Sequence, residues 1–139
     1  MWNASGKPID TESFTPFRPH RVLYEFDGPK TFTILDSDRE LYLAHWCDED
    51  ESIVRFLVVP FSERLVQKLE AGDLTVFDAL DQPRIFVVDL GTGGVIRSIN
   101  RVEWSDIPGE VLPLPGVSLR PNLPNRVIGQ GRELIPTSL

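Results

Sequence analysis

The chain has 139 residues, with 14 Lys+Arg against 21 Asp+Glu, a formal net charge of −7, 41% hydrophobic residues and one cysteine. That length fits one domain with a modest core, and the composition is that of a soluble globular body rather than a disordered chain. The acid excess disfavours direct binding to nucleic acid, whose affinity rests on neutralised phosphates. The longest apolar run, Phe56 to Phe61, is far too short to span a bilayer, and the lone Cys47 excludes an internal disulfide.

Residues 1–20 are polar and carry Pro8, Pro16 and Pro19 with isolated aromatics Trp2, Phe14 and Phe17. They read as an arm that packs its aromatics on the body while its end frays. No basic cluster followed by an apolar segment opens the chain, which argues against a signal peptide and for a cytoplasmic location. Val22 to Phe26 reads as the first strand, with Val22, Tyr24 and Phe26 on one face, and Asp27-Gly28-Pro29-Lys30 as its turn. Thr31 to Leu35 is a second strand. Leu41 to Cys47 is a third, with Leu41, Leu43, His45 and Cys47 on one face and Tyr42, Ala44 and Trp46 on the other. Ile53 to Val59 is apolar on both faces except for Arg55, which places it centrally in the sheet.

The period then changes. Ser62 is placed to cap a helix, Phe61 and Val66 to staple its first turn, and Gly72 to end it. Asp73 to Leu80 predicts a second, shorter helix capped by Asp73. Arg84 to Leu90 and Val95 to Val102 return to strand, and Gly91-Thr92-Gly93-Gly94 between them is short enough for a hairpin. The expected fold is α+β: an antiparallel sheet made of a four-strand meander, one or two short helices and a C-terminal hairpin. The expected organisation is an arm over 1–20, a compact domain over 21–112 and an extended Pro-rich tail over 113–139.

Charge follows the same division: residues 21–112 carry −9, residues 113–139 carry +2 and residues 1–20 are neutral. An acidic body suits a larger protein partner with a basic surface, or plain solubility. The tail holds Pro113, Pro115, Pro121, Pro124 and Pro136, and its alternation of proline with apolar residues favours extended geometry. Such a segment gains order by lying on its own domain or on a partner, with Leu112, Leu114, Val117, Leu119 and Leu123 as anchors and Arg120 among them. Trp46 and Trp104 could join a binding surface or fill the core. The run Asp48-Glu49-Asp50-Glu51 reads as a solvated turn; given a role, it would contact Lys or Arg of a partner.

No motif in the sequence specifies a reaction. His45 and Cys47 share a strand face, which suggests a small-ligand site or a thiol-dependent enzyme as the alternative function, yet acidic neighbours disfavour a thiolate. One Cys and two His fall short of a structural zinc set, and the acidic run lacks the spacing of a calcium loop. The glycine turn lacks the Gly-Lys-Ser/Thr ending and following helix of a phosphate loop. No catalytic residue, metal or cofactor is expected.

The stretches Tyr24-Glu25-Phe26-Asp27-Gly28-Pro29, Leu41 to Asp50 (Leu-Tyr-Leu-Ala-His-Trp-Cys-Asp-Glu-Asp) and Val58-Val59-Pro60-Phe61-Ser62-Glu63-Arg64 resemble a small bacterial domain family without an assigned activity. The resemblance covers about residues 22–105. It implies a bacterial source and one compact domain, and it transfers no catalytic residue. By class-level analogy it implies an accessory or neutralising member of a toxin–antitoxin or antiviral defence system.

Overall fold

Alternation of side chains along the central strands decides the layers. A computed structural model describes residues 1–117 and 119. In it, Leu43 and Cys47 turn to one face of the third predicted strand with Leu41 packed beside them. Tyr42 and Ala44 turn to the other face, with Trp46 alongside. The strands are β1 (Lys7–Ile9), β2 (Arg21–Glu25), β3 (Pro29–Leu35), β4 (Leu41–Glu49), β5 (Val54–Pro60), β6 (Ile85–Leu90) and β7 (Ile96–Val102), with helices α1 (Glu63–Ala71) and α2 (Val76–Leu80) between β5 and β6. The class is α+β. Among the described residues the sheet has seven strands, all antiparallel, in the order β1-β7-β6-β5-β4-β3-β2. The predicted four-strand meander is β2 to β5; it is part of one larger sheet in which β6 and β7 continue from β5 and β1 completes the far edge.

The capping expectations for α1 hold atom by atom. Ser62 Oγ accepts from the Leu65 N–H at 3.2 Å. Gly72 stops the helix in the left-handed region at φ 82°, its N–H bonding to the Leu69 carbonyl. Val66 and Leu69 are buried against the sheet. The second helix departs from expectation. It starts at Val76 and is capped by Thr75, whose Oγ1 accepts from the Asp78 N–H at 3.1 Å. Asp73 lies two residues before that cap position, and its own N–H completes the end of α1 by bonding to the Lys68 carbonyl. The first strand departs too. Leu23 is buried and Tyr24 packs on the same cluster, whereas Val22 is 42% and Phe26 71% exposed. Register shifts on either side of Tyr24 break the two-residue alternation, as bulges do.

Residues 1–20 are woven through the sheet. Ala4 is buried, and Trp2 packs, on the helix-covered face. Gly6 lies so close to β7 that a Cβ would sit 2.1 Å from the Arg101 carbonyl oxygen, so this crossing requires glycine. The chain then forms β1 beside β7 and must reach β2 at the opposite edge, six strand spacings or about 29 Å away. Residues 10–20 make that crossing over the second face. Phe14, 3% exposed, meets Tyr42 and Phe86 edge-on at 5.0 and 5.7 Å; Phe17 meets Phe32 and Phe56 at 5.9 and 5.3 Å. After β7, Ile107, Val111, Leu112 and Leu119 return to the helix face. No helix among the described residues is long and apolar enough to cross a membrane.

Candidate functional site

Strand β4 carries His45 on the helix face and Cys47 on the same face, at the register irregularity between Trp46 and Asp48. Cys47 is buried, and burial pushes its thiol up to about 12, with the nearby Arg55 guanidinium pulling weakly the other way. His45 is half-buried; desolvation drives its imidazole down to about 4. The ring turns to Thr31 across the strand pair, with a 2.9 Å hydrogen bond joining Thr31 Oγ1 and His45 Nδ1. At neutral pH both groups are therefore uncharged, and the imidazole is hydrogen-bonded to a threonine. A thiolate–imidazolium pair is absent from this face.

The same face also encloses a charged pair. Arg55 of β5 and Asp89 of β6 stand directly opposite each other. The guanidinium donates from Nε to Asp89 Oδ1 at 2.7 Å and from Nη2 to Oδ2 at 2.8 Å. Their side chains are 8% and 13% exposed. Arg55 Nη1 also donates to the Trp2 carbonyl, and the Trp2 ring lies over the guanidinium at 4.7 Å. The signal was available: Arg55 and Asp89 are the single charges in two otherwise apolar strands. What the sequence did not offer was Trp2, brought from the far end of the arm. With its bidentate geometry filled, this cluster is a closed structural ion pair.

The acidic turn is built to hold itself. Asp50 Oδ1 accepts from the N–H groups of Ser52 and Ile53, both at 2.9 Å, and from Ser52 Oγ at 3.3 Å, which holds its carboxyl below the usual range. Asp48 Oδ1 accepts from the Glu49 N–H. Among the described residues, no group of His, Cys, Asp or Glu is arranged to hold a metal.

Trp46 and Trp104 lie on opposite faces and form no common surface. Trp46 packs on the aromatic face, donates from Nε1 to Glu49 Oε1 at 3.1 Å and has Lys30 Nζ 4.8 Å from its ring centre. Trp104 packs on the helix face and meets Phe77 edge-on at 5.5 Å. The residues after β7 divide by side. Leu112 is half-buried and Leu119 buried on the chain's own core, while Leu114 is 71% and Val117 44% exposed. Arg120 and Leu123 lie outside the described residues.

Comparison with known proteins adds no relative: no family model, no curated protein and no solved structure matches this chain.

Proposed function

We propose that the chain is a non-catalytic protein-interaction subunit that holds a larger partner with a basic surface. The observation that carries this reading is the in–out division of residues 112–119. Leu112 and Leu119 fasten the segment to the body, so Leu114 and Val117 are held outward on an anchored stretch of chain. An apolar pair presented on a tethered backbone loses less entropy on docking than one on a free tail. The charge of −7 favours a cationic surface opposite it. On the resemblance of residues 22–105, the assembly is an accessory or neutralising part of a bacterial defence or toxin–antitoxin system. The thiol-dependent alternative needs a thiolate, and burial keeps Cys47 protonated through neutral pH.

The test is co-purification from the native host with wild type and the double variant Leu114→Ser/Val117→Ser. Both positions are exposed, so melting should be unchanged while recovery of the partner falls tenfold or more, equivalent to about 1.4 kcal/mol. Undiminished recovery would remove the tail from the interface. Alkylation at neutral pH addresses the alternative: native Cys47 should react far more slowly than free cysteine, and a rate above free cysteine would restore the thiol reading.

A further inference from the structure

The antiparallel order places three hairpin tips at one end of the sheet: β2–β3 at residues 26–28, β4–β5 at 50–53 and β6–β7 at 91–95. The outer two carry the exposed apolar side chains Phe26 (71%) and Val95 (64%). Four strand spacings, about 19 Å, separate these tips. Just inside them, on the aromatic face, Val54, Leu90 and Ile96 stand side by side in cross-strand register, with Trp46 on the neighbouring strand. All four are half-buried. The ring contacts of the crossing arm, from Phe14 to Tyr42 and Phe86 and from Phe17 to Phe32 and Phe56, lie further down the sheet than Val54, Leu90 and Ile96, with Phe56 directly opposite Trp46. The middle tip supplies charge. Glu49, Asp50 and Glu51 are exposed there and Asp27 stands beside Phe26 on an outer tip, against Lys30, which lies on the Trp46 ring, and the exposed Arg97.

We infer that the hairpin-tip end is a second docking surface, shaped for an extended cationic segment with an apolar residue at each end. Carboxylates at the centre and apolar anchors at the flanks select that chemistry over an acidic or uniformly apolar segment. At about 3.3 Å per residue, a strand needs roughly six residue steps to join anchors 19 Å apart. This inference rests on the interaction reading above and names the segment the basic partner would present.

The probe is a labelled seven-residue peptide with leucine at both ends and five Lys/Arg between, compared with the same peptide ending in serine. Binding is followed by fluorescence anisotropy at two salt concentrations. The leucine peptide should bind at least fivefold tighter than the serine peptide and weaken as salt rises. Phe26→Ser/Val95→Ser should abolish the difference between peptides without changing the melting temperature, and Leu114→Ser/Val117→Ser should leave it intact. Equal binding of the two peptides to wild type would overturn the proposal, leaving only general attraction of cations to an acidic protein. So would a concentration-dependent dimer of wild type that Phe26→Ser dissociates, since the surface would then be occupied by a second copy. The assay needs no native partner, so its failure is separate from failure of the tail to retain one.

Discussion

The helix face of the sheet is closed by several pieces of chain, the aromatic face by one. Over the first lie α1, α2, the segment after β7 and Trp2, so that a bidentate ion pair and a thiol are enclosed together. Over the second lies the crossing of residues 10–20, whose coverage is concentrated in two phenylalanines. A face closed by many pieces can enclose a charged pair because Arg55 and Asp89 find each other there, even though Trp2 Nε1 and Thr33 Oγ1 are buried on it without a hydrogen-bond partner among the described residues. A face closed by one strap depends on a few large side chains and leaves its outer row half open. Polar chemistry is thus sealed beneath one layer, and the half-open row of the sheet itself belongs to the other.

The sharpest way to break that contrast is to cut the strap. Phe14→Ala removes a 3% exposed ring that touches two other aromatics, and the expected loss is about 3–5 kcal/mol by urea denaturation. A loss under about 1 kcal/mol would mean that the arm lies on a sheet already stable without it. The matching cut on the helix face is Asp89→Ala, which leaves Arg55 enclosed without its counter-ion. The expected cost is about 3 kcal/mol, and replacing both members by apolar residues should recover most of it. If the double replacement is as damaging as the single one, the loss lies in packing rather than in an unpaired charge.

Both cuts fall on features that the sequence revealed unevenly. The two-sided alternation of β4 and the Ser62-to-Gly72 boundaries of α1 were legible because period and capping are local signals. β1 was not: Lys7-Pro8-Ile9 has no strand pattern of its own and is made a strand by the free edge of β7. The bulges around Tyr24 hid which residue of β2 is buried, since alternation fails there. At the candidate sites, the segment 112–119 could be recognised as a source of apolar anchors. Which of them face inward depends on its return to the helix face, a contact between residues far apart in the chain. The pairing of Arg55 with Asp89 is a matter of register across strands separated by two helices, and no local pattern encodes it.

The smallest effect separates the faces by pH. The His45 imidazole is held near 4 by burial, below its ordinary 6.5. The unfolded chain therefore binds a proton that the folded chain refuses between those values, so stability falls as pH drops from 6.5 towards 4. The full shift corresponds to about 3 kcal/mol, and partial exposure of the ring reduces this to about 2 kcal/mol. In His45→Gln the amide can still meet Thr31 but has nothing to titrate. Its stability loss between pH 7 and 4.5 should be smaller than that of wild type by about 2 kcal/mol in urea titrations. Parallel pH profiles for the two proteins would show that the imidazole gains a proton without disturbing the helix face, and that this layer is more open to water than its enclosed ion pair implies.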